Sequence, residues 1–149
     1  MSTIRALTTE EQEKLIDLSL EARENSYSPY SKFRVGAALL TEDGVWIKVL
    51  YLIIFLPHLS FSGAAICAER TAYVKALSEG HSKFIALGVS TDQVVPVSPC
   101  GICRQFISEF GPKELPVYMI TPNREFKLVT MNDLLPHSFS REEAGKFLL

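Results

Sequence analysis

The chain has 149 residues, a mass of 16.6 kDa and a formal net charge of −2, which suits one domain large enough to bury a core. Hydrophobic residues make up 47% and charged residues 21% of the sequence, and this balance excludes a disordered, collagen-like or repeat protein. A sequence pI near 5.9 leaves no basic footprint for duplex DNA or RNA. We therefore expect a single domain over residues 1–149 that does not bind nucleic acid.

The predicted elements follow from apolar spacing, caps and turns. A capping box at Thr8 and Glu11 begins the first helix, and Glu42-Asp43-Gly44 marks a hairpin turn. In chain order the sequence predicts a helix at 9–25, strands at 33–41 and 45–55, a helix at 64–79, a strand at 84–90, a helix at 100–110, strands at 115–120 and 126–130, and short helices at 132–136 and 141–147. This alternation predicts an α/β fold, with one mixed sheet between helices on both faces.

Two stretches bear on where the chain works in the cell. Residues 1–13 contain three glutamates and lack the basic start and apolar run of a secretory signal. The longest apolar stretch, residues 49–56, is far shorter than the roughly 20 apolar residues that a membrane-spanning helix needs. We expect a cytosolic protein without a membrane partner.

The three cysteines lie at the predicted starts of two helices. Cys100 and Cys103 are three residues apart, so both thiols project from one face of the first turn, and Cys67 lies near the start of the other helix. Helix N-termini favour thiolates. Three thiolates can share one tetrahedral ion and leave its fourth position open, as in catalytic zinc sites. We therefore expect one Zn²⁺ per chain, bound by Cys67, Cys100 and Cys103.

Charged residues beside the cysteines suggest how such a site would act. Glu69, two residues after Cys67, is close enough to touch a metal-bound water, take its proton and pass it to a leaving group. We interpret it as the catalytic proton shuttle rather than as a solvated helix glutamate. Arg70 and Arg104 are expected to donate to thiolate sulfurs and so restore Lewis acidity to the ion, although both fit ordinary surface charges as well.

The pattern of ligand-x-Glu followed by Pro-Cys-x-x-Cys is a signature of zinc deaminases, and it occurs here as Cys67-Ala68-Glu69 and Pro99-Cys100-Gly101-Ile102-Cys103. On these residues the chain resembles the small, homotetrameric cytidine deaminases over almost its whole length. The other matching stretches are residues 27–31, 33–38, 66–72, 98–101, 103–105 and 134–136, with Phe139.

The resemblance implies a fold, a reaction and substrate contacts. It implies a three-layer α/β/α domain with a five-stranded mixed sheet, and hydrolytic loss of ammonia from cytidine or deoxycytidine in pyrimidine salvage. Phe33 matches an aromatic residue that packs on the base, the backbone of Ala68 would contact the base edge, and Phe139 matches a residue that closes a neighbouring subunit's site. Core packing is the alternative for Phe33 and Phe139. Cysteine rather than histidine in the ligand-x-Glu motif implies a free nucleoside substrate.

Residues 45–63 depart from the family. An Asn-x-Glu-Asn-Ala-x-Tyr stretch, which holds the ribose hydroxyls in the family, is absent here, and the spacing from Gly44 to Cys67 is several residues longer. Three explanations stay open: His58 together with Tyr51 or Ser60 supplies substitute contacts, the chain is a relative that binds zinc and oligomerises without turnover, or residues 49–63 are translated intron sequence. A reshaped sugar pocket would suit another aminopyrimidine nucleoside analogue.

Overall fold

A computed structural model of the chain describes residues 4–28, 32–50, 66–139 and 145. Its elements in chain order are α1 (Thr9–Glu24), β1 (Val35–Thr41), β2 (Trp46–Leu50), α2 (Ala68–Ser78), β3 (Phe84–Thr91), α3 (Gly101–Phe110), β4 (Pro116–Ile120), β5 (Phe126–Thr130) and α4 (Met131–Leu134). Apart from residue 145, the predicted helix at 141–147 lies outside these residues, and so does the second half of the predicted strand at 45–55.

The five strands form one mixed sheet in the order β2-β1-β3-β4-β5. Among the strands that the structure describes, the β3–β4 pair is parallel and the other three pairs are antiparallel. A parallel pair requires a crossover connection, which α3 supplies between β3 and β4. The predicted α/β fold with a mixed sheet is confirmed.

Helices pack on both faces of the sheet. On one face, α1 buries Leu15 and Ile16 against Ala38, Ala86 and Ile120. On the other face, α2 and α3 contribute to a larger core with the inward side chains of β1 and β3. Among the described residues, no helix is both long and apolar enough to cross a membrane.

The α1 helix lies very close to the sheet at one glycine. A Cβ placed on Gly36 would lie 2.2 Å from the backbone nitrogen of Arg23 and 2.4 Å from the backbone oxygen of Ser19. Any larger residue would push α1 off the sheet, so this position requires glycine for space.

The hairpin between β1 and β2 contains the first part of the atypical segment. Leu40 pairs with Trp46 at the turn end, and Gly36 pairs with Leu50 at the other end of the register. Gly44 has a φ of 84°, which the turn needs and glycine adopts without strain. Residues 46–50 therefore form an ordinary edge strand of the sheet, whereas residues 51–63 lie outside the described residues.

Candidate active site

Two of the three cysteines are the N-cap residues of helices. Cys67 caps α2 with a φ of −62° and a ψ of 151°, and Cys100 caps α3 with a φ of −63° and a ψ of 166°. The extended backbone at Cys67 makes α2 begin four residues after the predicted start at 64. Neither thiol makes a side-chain capping hydrogen bond, so capping does not occupy these sulfurs.

The three sulfurs are close enough to share one metal ion. Cys67 Sγ lies 3.8 Å from Cys100 Sγ, and Cys100 Sγ lies 3.3 Å from Cys103 Sγ. All three lie within 4.8 Å of one another. A tetrahedral zinc with Zn–S bonds of about 2.3 Å spaces its sulfurs about 3.8 Å apart, and soft thiolate donors suit zinc. The cluster therefore fits the zinc ion predicted from the sequence.

The thiols differ in their ionisation. A hydrogen bond from Cys103 lowers the pKa of Cys67, and the Arg70 guanidinium and the Cys100 thiol lower it further. The same hydrogen bond and burial raise the pKa of Cys103. Cys67 thus ionises before Cys103, and binding a cation would favour the thiolate form of the ligands.

Glu69 lies in the first turn of α2 and is only 4% exposed. Burial raises its pKa to about 7, and the negative charge at Cys67 adds to this effect. Its Oε2 atom is buried without a hydrogen-bond partner among the described residues. A carboxyl with a pKa near neutrality can both take up and release a proton, which is the property required of a general acid–base group.

The two candidate arginines make different contacts. Arg70 Nη2 lies 3.9 Å from Cys67 Sγ. Arg104 donates from Nε to the carbonyl of Pro99 at 2.9 Å and from Nη1 to the carbonyl of Leu134 at 3.1 Å. These bonds tie the turn before Cys100 to the end of α4, and the sulfur contact expected for Arg104 stays a prediction.

The candidate substrate residues lie in different surroundings. Phe33 is half-buried and packs against the core cluster that also contains Ala68 and Cys103. Ala68 is fully buried at the first position of α2. Phe139 is 60% exposed, so it is not a core residue of this chain. Their roles toward a substrate stay predictions.

A charged cluster beside Phe33 was not predicted from the sequence. Arg34 pairs with Asp92, which directly follows β3, and with Glu24 at the end of α1. These residues are far apart in the sequence and belong to no local motif. Alternation along β1 could have placed Arg34 on the α1 side, but it could not have named Asp92.

The chain matches known deaminases in sequence and in structure. The model of the cytidine and deoxycytidylate deaminase zinc-binding region matches residues 9–119. A cytidine deaminase of Sporosarcina psychrophila is 47% identical over 131 residues, covering 88% of this chain and 93% of that protein. A cytidine deaminase of Halalkalibacterium halodurans is 40% identical over 133 residues, covering 89% and 97%.

A solved cytidine deaminase of Burkholderia pseudomallei superimposes with a TM-score of 0.78 at 36% identity, covering 89% of this chain and all of that one. The residues matched by the family model include Cys67, Glu69, Cys100 and Cys103. The chain therefore belongs to the cytidine and deoxycytidylate deaminase zinc-binding family.

Proposed function

We propose that this chain is a zinc-dependent cytidine deaminase, which hydrolyses cytidine and deoxycytidine to uridine and deoxyuridine with release of ammonia. The observation that carries the proposal is a buried carboxyl, Glu69, in the helix turn that follows one thiol of a three-cysteine cluster. Family membership and the similar cytidine deaminases support the same reaction.

The residues at the site divide the chemistry between metal binding and proton transfer. Cys67, Cys100 and Cys103 would hold the zinc, which when bound acts as a Lewis acid and acidifies water. Glu69 receives the proton of the attacking water on a carboxylate oxygen and delivers it to the departing amine, and its pKa of about 7 suits both steps. Arg70 offsets negative charge at Cys67.

The substrate contacts of this proposal come from three residues. Phe33 packs on the pyrimidine, which its packing against the core cluster on the same face of the sheet as Cys103 supports. The backbone of Ala68 contacts the base edge, since the first amides of a helix have no partner within the helix. Phe139 closes the site of a neighbouring subunit, which its exposure supports. Residues 45–63 take the place of the family's ribose-binding stretch, so other groups must contact the sugar.

The same proposal includes a homotetramer that works in the cytosol in pyrimidine salvage. Exposed apolar side chains on or near α2 and α3, namely Ile66, Val74 and Ile102, support burial against further copies. Free thiols are maintained in the reducing cytosol. Light scattering should give about 66 kDa, four times the 16.6 kDa chain, and a monomer would contradict the tetramer.

Turnover by the zinc-loaded protein tests the proposed reaction. Ammonia release should be measured with cytidine, deoxycytidine and cytidine monophosphate, because the proposal requires activity on the free nucleosides. Glu69→Gln keeps the shape of the side chain but cannot shuttle a proton, so it should lower kcat by about 10²–10⁴-fold at unchanged zinc content. Glu79→Gln, on an exposed glutamate that caps the other end of α2, is the matched control. Bound zinc without turnover in the wild type would favour the non-catalytic relative.

A further inference from the structure

The backbone around Phe33 is constrained on both sides. Lys32, just before it, has a φ of +53°, a left-handed conformation that a lysine keeps only where its surroundings enforce it. Lys32 N–H donates to the carbonyl of Ser28 at 3.0 Å. Arg34, just after it, is bound through both its backbone and its side chain.

Asp92 makes the bonds that hold Arg34. Its Oδ2 accepts the backbone N–H of Arg34 at 2.8 Å and the Nε–H at 3.1 Å, and its Oδ1 accepts from Nη2 at 2.9 Å. The two side-chain bonds form the bidentate pairing that fixes an arginine in one orientation. Asp92 therefore fixes the position and the direction of the chain at Arg34.

A second arginine supports this carboxylate from α1. Arg23 is only 7% exposed, and its Nε lies 3.8 Å from Asp92 Oδ1. Arg23 also donates from Nη1 to the carbonyl of Thr91 at 3.3 Å, while Glu24 accepts from Arg34 Nη1 at 2.7 Å. The cluster thus joins the end of α1, the end of β3 and the residue that precedes β1.

The orientation of Phe33 follows from that of Arg34, because their side chains alternate between the two faces of the sheet. Successive side chains of an extended strand point to opposite faces. The Arg34 side chain reaches Glu24 and Asp92 on the α1 side of the sheet. A Cβ built on Gly36, two residues later, would point to the same side, because it would meet α1. Phe33 instead packs, like Val35, against the cluster on the α2 and α3 side that contains Cys103. Holding Arg34 on one face therefore keeps the Phe33 ring on the face of the zinc ligands.

We propose that Asp92 is a positioning residue for the deaminase reaction, acting through Arg34 to hold Phe33 against the substrate base. The inference rests on the proposed function, because the contact of Phe33 with the base belongs to it. Asp92 itself touches no reacting atom. Its loss should weaken substrate binding more than it slows the chemical step.

Steady-state kinetics with cytidine test the role of Asp92. Asp92→Ala should raise KM roughly tenfold or more and leave kcat within about threefold, because a ground-state contact is misplaced while Glu69 and the cysteines are untouched. Asp92→Asn retains an oxygen that can accept the Arg34 N–H, so it should recover most of the lost affinity. If the alanine variant does not fold, the same kinetic test is made with Asp92→Asn. Asp17→Ala, which removes an exposed α1 carboxylate that pairs with Arg124, is the matched control.

A double-mutant cycle separates positioning from general stabilisation. The effects of Phe33→Ala and Asp92→Ala on KM should be non-additive, because Asp92 acts on the substrate only through Phe33. Fully additive effects, or a loss of kcat and zinc content in step with KM, would overturn the proposal. So would an Asp92→Ala variant with the KM of the wild type.

Hydrogen exchange gives a reading that does not depend on turnover. The Arg34 amide should exchange about tenfold faster or more in Asp92→Ala, while the amides of Ala37 and Leu39 within β1 keep their protection. Unchanged exchange at Arg34 would overturn the positioning role even in an active enzyme. Absence of turnover in the wild type would instead refute the proposed function. The affinity for cytidine of the zinc-loaded wild-type and Asp92→Ala proteins would then test the positioning role. Weaker binding by Asp92→Ala would support it, and equal binding would overturn it.

Discussion

Replacing Gly36 by alanine is expected to destabilise the fold by disturbing the packing of α1, which lies on the face of the sheet opposite the metal site. The added Cβ would meet three backbone atoms, at 2.2 Å from Arg23 N, 2.4 Å from Ser19 O and 2.7 Å from Ala22 C. Ordinary contacts begin near 3.4 Å, so α1 would have to withdraw by about 1 Å. Overpacking costs about 1–3 kcal/mol, and we expect about 3 kcal/mol because no side-chain rotation relieves a clash with backbone.

Thermal unfolding of the zinc-loaded protein measures this effect. A loss of about 3 kcal/mol lowers Tm by about 6–12 °C for a domain of this size. Gly101→Ala is the control, since nothing lies within 4 Å of a Cβ at that position, and Tm should stay constant or rise. Zinc content per folded chain should not change in the Gly36 variant. A Tm within about 2 °C of the wild type would refute the close approach of α1 to the sheet.

Three further predictions concern other parts of the fold. Tyr73→Phe should leave stability unchanged or raise it by about 1 kcal/mol in urea unfolding, because the buried Tyr73 hydroxyl has no partner among the described residues; a large loss would reveal a partner. Arg104→Met should cost about 1–3 kcal/mol and increase exchange at the end of α4, because two carbonyls lose their donor; unchanged exchange would contradict this tie. Hydrogen bonds from Arg5 and from the Thr8 backbone lower the pKa of Glu11 to about 2, so its stabilising contribution is complete above about pH 4.5 and disappears toward pH 2. In acid titration of stability, Glu11→Gln should differ from the wild type at pH 7 and converge with it near pH 2, and an equal difference at both pH values would be inconsistent with the lowered pKa of Glu11.

Local signals in the sequence account for most of the predicted fold. The capping box at Thr8 forms as predicted and begins α1 at Thr9, and β5 has the predicted bounds, 126–130. The predicted start of α2 lies four residues before the observed one, because alanines before Cys67 favour helix and the extended cap at Cys67 has no distinct signature.

The metal site was predictable because its parts are local. Spacing within one helix turn joins Cys100 to Cys103 and brings Glu69 near Cys67, and only the meeting of α2 with α3 had to be inferred. The bonds between Arg34 and Asp92 span 58 residues and depend on β1 and β3 being neighbours in the sheet. No sequence spacing encodes such a tertiary pair.

Ammonia release from cytidine, compared between the zinc-loaded wild type and Glu69→Gln, is the decisive test of zinc-dependent deamination through Glu69. We expect turnover by the wild type, and a loss of about 10²–10⁴-fold in the variant at equal zinc content and equal Tm. Equal turnover by the two proteins, or none by the wild type with zinc bound, would contradict it.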